Sequence, residues 1–241
     1  MTGQKHVIFD VVGTCVSFDA YFNAIDRVLG DRLRAHNITS QFFGYSWMTA
    51  AELEFTFLSI SERHRPYKEI LEAVFYRTLW MAGIKDPRSL ATEAEREECI
   101  QGYWSLQLRS GIKDCFAKLR ENGFTIWCLT TGDMARVRGY FEQGNVEMPL
   151  ENIISCDRGG VAKPALAAYR PVFEQFATSD AKWFAAAHMW DVSAAVKVGF
   201  RGAYCAVYEQ DPCLGIFDTK MDVMADSLLE MAEKIINASS S

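Results

Sequence analysis

The chain has 241 residues, of which 49% are hydrophobic and 23% charged, and its formal net charge is -6. This length allows one large domain or a core with a smaller insert, and the composition is that of an ordinary globular protein. The scattered lysines and arginines lack the basic stripe of a nucleic-acid binder, and no apolar segment approaches the ~20 residues of a membrane span. We therefore expect a cytoplasmic protein that acts on a small molecule, with its seven cysteines reduced and structural.

Short apolar runs alternate with amphipathic stretches along most of the chain. The runs predict strands over 6–9, 124–129, 152–155, 183–187 and 202–207, and the stretches predict helices over 112–122, 134–142, 165–176, 193–198 and 225–236. Continuous apolar runs suit strands that are buried on both faces of a parallel sheet. The alternation predicts an α/β fold with a doubly wound, mostly parallel, Rossmann-like sheet.

The segment between the first two long strands does not follow this alternation. It predicts helix after helix, over 19–36, 44–59, 66–82 and 92–107. We therefore predict a core domain of residues 1–16 and 109–241 and an inserted α-helical cap of residues 17–108. The insert is rich in aromatic residues such as Trp47; most are expected in its own core, and a few could line an apolar pocket over the sheet.

The residues that follow the predicted strands carry the candidate chemistry, because ligands of open α/β sheets bind outside the carboxyl ends of the strands. Polar groups gather at this edge: Asp10, Thr130, Thr131, Lys163, His188 and Asp191. A carboxylate at the end of a buried strand needs a compensating cation and hydrogen-bond donors. We predict that Lys163 keeps Asp10 ionised and that Thr130, with backbone N–H groups, orients its oxygens.

An aspartate held in this way can act as a nucleophile and form a covalent enzyme intermediate that water later splits. Asp191 would position that water or the lysine. Each residue also has a simpler interpretation, since aspartate is common in turns and helix caps, and Lys163 before Pro164 suits a surface loop. The order and edge placement of the set favour the catalytic interpretation.

Four segments resemble the motifs of the haloacid dehalogenase superfamily. In chain order they are Phe9-Asp10-Val11-Val12-Gly13-Thr14, Leu129-Thr130-Thr131-Gly132, Lys163-Pro164 with Tyr169, and Trp190-Asp191 with Gly199-Phe200. Leu53-Glu54-Phe55-Thr56 in the insert resembles the cap of the type II 2-haloacid dehalogenases. The resemblance implies a superfamily core with Asp10 as nucleophile, a cap domain and a homodimer. We assign substrate contacts to Val11, Val12, Thr131, Trp47, Leu53 and Trp190.

Two departures from the superfamily pattern bear on the reaction. Phosphatases that this pattern describes carry a second aspartate two residues after the nucleophile, as proton donor to the leaving group, and here that residue is Val12. Valine cannot transfer a proton, whereas halide leaves without one. The fourth motif supplies only Asp191 where phosphatases have further acids for magnesium. We predict a site with no metal and no cofactor; magnesium would be needed only by a phosphatase.

The cap and the fourth motif depart from the dehalogenases as well. The arginine that these enzymes usually carry four positions before the cap leucine is Thr49 here, and Arg63 or Arg65 would have to replace it, although both suit a solvated surface. His188 and Ala186 stand where the family often has asparagine and serine. The imidazole of His188 would act as a base toward the intermediate or a substrate hydroxyl, or would be a hydrogen-bonded structural histidine.

Four hypotheses for the function follow. The leading one is hydrolytic dehalogenation of a small 2-haloalkanoic acid through an aspartyl ester at Asp10. The second keeps the scaffold but has a larger ester, lactone or carbonyl substrate, with His188 sharing the acid–base work. The third is a catalytically silent binding protein, against which a retained pair of Asp10 and Lys163 argues. The fourth, a magnesium-dependent phosphatase, is disfavoured by Val12.

Overall fold

A computed structural model describes residues 3–156 and 160–239 of the chain. Its contacts divide the chain into two compact units. Unit 1 comprises Met1–Ser17 and Leu108–Ser241, and unit 2 comprises Phe18–Gln107. All seven cysteines are free thiols, and only Cys213 among them is exposed.

A six-stranded parallel sheet forms the centre of unit 1. The strands of the chain are β1 (Lys5–Phe9), β2 (Val16–Ser17), β3 (Gln107–Leu108), β4 (Phe124–Thr130), β5 (Ile153–Ser155), β6 (Ala181–Ala186), β7 (Arg201–Cys205) and β8 (Val223–Ala225). The large sheet has the order β5-β4-β1-β6-β7-β8, and its pairs are parallel; β2 and β3 form a separate small sheet. The chain builds outward from β1 in both directions, so the strand order reverses at β1, where such sheets bind ligands.

The helices of unit 1 cover both faces of this sheet. In unit 2 the helices are α1 (Asp19–Arg34), α2 (Ser40–Ile60), α3 (Tyr67–Met81), α4 (Pro87–Leu90) and α5 (Glu93–Trp104), and in unit 1 they are α6 (Ile112–Glu121), α7 (Met134–Gln143), α8 (Leu166–Glu174), α9 (Met189–Val198) and α10 (Leu228–Ser239). On one face, Ile8 and Phe184 share a buried cluster with residues of α8 and α9. On the other, the ring of Phe9 lies 4.8 Å from that of Phe116 in α6. The predicted α/β class is confirmed.

The elements of unit 1 that differ from the sequence prediction include strand β8 and helix α9. Strand β8 was not predicted, because three residues are too few to show a periodicity. Helix α9 begins at Met189, four residues before the predicted start at Ser193. The reason is a distant cap: the carboxylate of Glu209 accepts the backbone N–H of Met189 at 2.8 Å, which satisfies a donor of the first turn that has no partner within the helix.

Unit 2 is a bundle of helices with an aromatic core. The rings of Tyr21, Phe43 and Phe75 pack around Trp47, at centroid distances of 4.7 to 5.8 Å. Helix α5 begins with a capping box, in which the side chains of Thr92 and Glu95 each accept the other's backbone N–H. Within the described ranges, no helix of either unit has the length and apolarity that crossing a membrane requires.

Candidate active site

Asp10 lies directly after β1, at the carboxyl edge of the sheet in unit 1. Its backbone N–H donates to the carbonyl of Ala185 at 3.0 Å, which continues the pairing of β1 with β6 by one residue. The residues before it, Val7, Ile8 and Phe9, are fully buried. The carboxylate is therefore fixed at the end of a strand that is covered on both faces, and only 5% of the residue is exposed.

The ammonium of Lys163 links two carboxylates at this edge. Its Nζ atom lies 2.7 Å from Oδ1 of Asp10 and 2.6 Å from Oδ2 of Asp191, and its third hydrogen bond goes to the carbonyl of Leu129 at 3.2 Å. An ammonium has three donors, and all three are used. Lys163 is 4% exposed and Asp191 is fully buried, so this charge network is almost completely removed from water.

Burial and the charges of this network shift the pKa values of its three ionisable groups. Burial alone would raise the pKa of Asp10, but the charge of Lys163 and the hydrogen bond from His188 outweigh it and lower that pKa below its ordinary value. Burial would lower the pKa of Lys163, and the two carboxylates raise it instead. The pKa of Asp191 is raised, unlike that of Asp10. Burial and the negative charge of Asp10 raise it, and together they outweigh the opposite effect of Lys163. The carboxylate that stays ionised most firmly is Asp10.

Thr14 holds the second oxygen of Asp10. Its hydroxyl donates to Oδ2 of Asp10 at 2.7 Å and accepts the backbone N–H of Ala187 at 2.8 Å, so it bridges the carboxylate to the end of β6. The sequence predicts this orienting role for Thr130, together with backbone N–H groups. In the structure, Oγ1 of Thr130 accepts the N–H of Gly132 at 3.0 Å and supports its own turn. Thr130 is the last residue of β4, whereas Thr14 lies five residues after the end of β1, and only the folded sheet shows which of the two reaches Asp10.

The two oxygens of Asp191 are both hydrogen-bonded. Oδ2 accepts from Lys163, and Oδ1 accepts a short hydrogen bond from the hydroxyl of Tyr169 in α8. Burial, followed by the charge of Asp191, raises the pKa of Tyr169, so the phenol keeps its proton and remains a donor. Asp191 is thereby fitted to hold Lys163 in place, which is one of the two roles predicted for it.

His188, which follows β6, contacts the carboxylate of Asp10. Its Nδ1 atom lies 3.2 Å from Oδ2 of Asp10, and the residue is 9% exposed. The ring packs beside two aromatic neighbours, with centroids 5.4 Å from Trp190 and 5.1 Å from Tyr208. The structure therefore brings together four of the predicted catalytic residues, and it adds Thr14 to them.

The predicted substrate contacts in unit 1 differ in their exposure. Val11 is fully buried and its carbonyl accepts the N–H groups of Cys15 and Val16, so its side chain offers no surface to a ligand. Val12, Thr131 and Trp190 are half-buried. The ring of Trp190 is centred 5.9 Å from Nζ of Lys163, which places it beside the charge network.

The predicted contacts in unit 2 also separate into a buried and an exposed residue. Trp47 is fully buried in the aromatic core, and its indole N–H donates to the carbonyl of Leu71 at 2.8 Å. It leaves no surface for a ligand and serves the packing of unit 2. Leu53 on α2 is 51% exposed. Arg65 is paired with Glu69 at 3.6 Å on the surface, as its simpler interpretation anticipated.

The loop after β7 supplies two residues to the site that the sequence analysis did not single out. Tyr208 packs against the ring of His188, and Glu209 caps α9, the helix that carries Asp191. No motif marks this loop, and its return to the edge of the sheet depends on the placement of β7 next to β6. Only the folded chain reveals these contacts.

The donor set at this edge does not suit magnesium, the metal that the phosphatase hypothesis requires. Mg²⁺ requires near-octahedral oxygen ligands. The ammonium of Lys163 already lies between the carboxylates of Asp10 and Asp191, and the fourth motif supplies no acid besides Asp191. In the ranges 3–156 and 160–239, the His, Cys, Asp and Glu side chains form no group of three that could hold a metal. No step of the reaction proposed below uses one.

Comparison with known proteins identifies the family of the chain. The sequence model of haloacid dehalogenase-like hydrolases matches residues 4–199. The chain belongs to this family of hydrolases. Among curated proteins, no sequence matches the chain.

Solved structures share the fold at low sequence identity. An L-2-haloacid dehalogenase has a TM-score of 0.77 at 16% identity, over 98% of this chain and 100% of its own. The L-2-haloacid dehalogenase from Xanthobacter autotrophicus with chloropropionic acid covalently bound has a TM-score of 0.75 at 17% identity, over 96% and 98%. A putative hydrolase of the superfamily from Bacillus subtilis, bound to magnesium, has a TM-score of 0.68 at 16% identity, over 98% and 99%. These likenesses show the fold and leave the reaction open.

Proposed function

We propose that this hydrolase removes halide from a small 2-haloalkanoic acid by way of an aspartyl ester at Asp10. The observation that carries the proposal is the carboxylate of Asp10 at the edge of the sheet: Oδ1 lies 2.7 Å from Nζ of Lys163, and the residue is 5% exposed. A carboxylate whose pKa is lowered and whose geometry is fixed is suited to displace a leaving group from carbon. The covalently bound chloropropionic acid in the dehalogenase from Xanthobacter autotrophicus supports the same chemistry by analogy.

The leaving group follows from what surrounds Asp10. Val12 occupies the position from which an acid would protonate a departing alkoxide or phosphate-ester oxygen, and a valine has no proton to give. Halide departs as a stable anion and needs no proton. The proposed first step therefore forms the bond from an Asp10 oxygen to the α-carbon as the carbon–halogen bond breaks. The proposal includes inversion at that carbon, a cytoplasmic location and a homodimer.

The experiment that tests the proposal is halide release from both enantiomers of 2-chloropropionate in a buffer that contains a chelator. We expect one enantiomer to yield chloride and lactate in equal amounts, at a rate that added magnesium leaves unchanged. A panel of chlorinated and brominated acids of two to four carbons extends the test. If no member of the panel released halide, the result would contradict the proposal.

The second candidate is a larger, less charged substrate, such as an ester, lactone or carbonyl compound. Two observations favour it: Thr49 stands where the cap arginine of the dehalogenases is expected, and His188 contacts the nucleophile. Turnover of such compounds, with no halide released from any haloacid, is the result that this candidate predicts. Magnesium-dependent release of phosphate from 4-nitrophenyl phosphate would instead indicate a phosphatase.

A further inference from the structure

The two oxygens of Asp10 have different surroundings. Oδ1 accepts from the ammonium of Lys163, whereas Oδ2 accepts from the hydroxyl of Thr14 and lies 3.2 Å from Nδ1 of His188. All of these atoms belong to unit 1. The asymmetry means that the two oxygens are equipped for different parts in a reaction at this carboxyl group.

The hydrogen between His188 and Asp10 resides on the imidazole. An ionised carboxylate is an acceptor only, and Asp10 is kept ionised by Lys163. Nδ1 of His188 must therefore carry the hydrogen and donate it to Oδ2. The hydroxyl of Thr14 also donates to Oδ2, because the carboxylate can only accept, and the hydroxyl oxygen in turn accepts the N–H of Ala187. Two donors thus converge on one oxygen.

The ring of His188 is held in this direction before any substrate binds. Its backbone carbonyl accepts the N–H groups of Asp191 and Val192 at 3.2 Å each, which ties the residue to the first turn of α9. Tyr208 packs against the ring, and the carboxylate of Glu209 fixes the start of the same helix. A donor that is oriented in advance stabilises developing charge without having to reorganise during the reaction.

We infer that His188 and Thr14 form an oxyanion hole for hydrolysis of the aspartyl ester, so that Oδ1 is the attacking atom. This inference rests on the proposed function. In the first step, Oδ1 bonds to the substrate carbon and halide leaves, and Oδ2 becomes the ester carbonyl oxygen. In the second, negative charge develops on Oδ2, where the two donors are aimed.

In the second step, water opens the ester at Cγ of Asp10. A water oxygen bonds to Cγ of Asp10 and gives one proton to bulk water, and Oδ2 becomes the oxyanion of a tetrahedral intermediate. The bond from Cγ to Oδ1 then breaks, and Oδ1 departs with the substrate carbon as an alkoxide. Lys163, already hydrogen-bonded to Oδ1, stabilises that departure. The second proton of the water passes to the alkoxide, which leaves the hydroxy acid and the restored carboxylate.

The geometry assigns His188 a role different from the base that its residue type first suggested. With its hydrogen on Nδ1, His188 could act as a base only through Nε2, whereas the contact that the structure shows is the donation from Nδ1 to Oδ2. Asparagine can replace such a donor through its amide N–H, but it cannot replace a base. The pair of substitutions His188→Ala and His188→Asn therefore separates the two roles.

The test compares wild type, His188→Ala and His188→Asn by rapid quench with 2-chloropropionate, measuring chloride release and the mass of the peptide that contains Asp10. In His188→Ala we expect one equivalent of chloride per site at a near-normal rate, then turnover slowed by about 10² to 10³-fold, with the propionate adduct retained on Asp10. In His188→Asn we expect turnover at least about tenfold faster than in His188→Ala. Substitution of the exposed His36 by alanine is the matched control.

Three results would overturn the inference: normal steady turnover in His188→Ala, loss of the initial chloride burst in that variant while the melting temperature is unchanged, or adduct accumulation that His188→Asn does not relieve. The last result would indicate a base. If the wild type itself releases no halide, the proposed function fails, and this inference fails with it. Halide release by the wild type thus distinguishes the two failures.

Discussion

Replacement of Asp10 by asparagine is expected to abolish halide release, with a loss of at least about 10⁴-fold in turnover. An amide is neutral and a poor nucleophile, so no ester forms. The fold should survive, because the substituted side chain keeps its shape and Lys163 retains Asp191 and the carbonyl of Leu129 as partners. Turnover of 2-chloropropionate and thermal unfolding measure the two effects separately.

The matched control is Asp114→Asn, which makes the same chemical change on the exposed surface of α6. It should leave both turnover and melting temperature unchanged. If Asp10→Asn retained turnover within about tenfold of wild type, a different group would have to carry the covalent step, since the loss of a nucleophile costs far more than this.

The second large effect is expected from Lys163→Met. Removal of one partner of a buried ion pair typically costs about 3 to 5 kcal/mol, because the remaining charge is left uncompensated. Here the substitution leaves two carboxylates, Asp10 and Asp191, in a site that is almost fully buried. We expect a free energy of unfolding lower by about this amount at neutral pH, with no detectable halide release. Denaturant unfolding and the halide assay measure these effects.

The pH dependence of the stability of Lys163→Met tests whether uncompensated carboxylates cause its lower free energy of unfolding. Without the lysine, burial and mutual repulsion raise the pKa values of both carboxyl groups above their unfolded values. Carboxyl groups whose pKa is raised on folding destabilise the protein as the pH rises through their pKa values. The stability deficit of Lys163→Met relative to wild type should therefore shrink as the pH falls toward about 4. Adding Asp191→Asn to Lys163→Met should recover part of the stability and none of the activity. A deficit that is constant between pH 4 and 7 would contradict this account.

Much of unit 1 could be predicted from the sequence because its signals are local. The run of Val7, Ile8 and Phe9 is apolar on both faces, and the structure buries it completely in the parallel sheet. Asp10, Lys163 and Asp191 each follow a predicted strand, and carboxyl ends of parallel strands share one edge. Their convergence therefore follows from topology alone.

Features that depend on contacts between distant segments could not be predicted. The choice of Thr14 over Thr130 depends on the position of β6 beside β1, which supplies the N–H of Ala187. The start of α9 depends on Glu209, from a loop with no recognisable motif. Trp47 could have been a pocket residue or a core residue by its pattern, and the neighbouring rings decide for the core.

The most direct measurement is a single turnover in water enriched in oxygen-18, with enzyme in excess over 2-chloropropionate, followed by mass spectrometry of the peptide that contains Asp10. If the carboxylate forms an ester that water opens at Cγ, one heavy oxygen enters Asp10 and the lactate carries an oxygen from the enzyme. Label found in the lactate alone, with Asp10 unlabelled, would show that water attacks the substrate directly, and it would contradict the covalent mechanism.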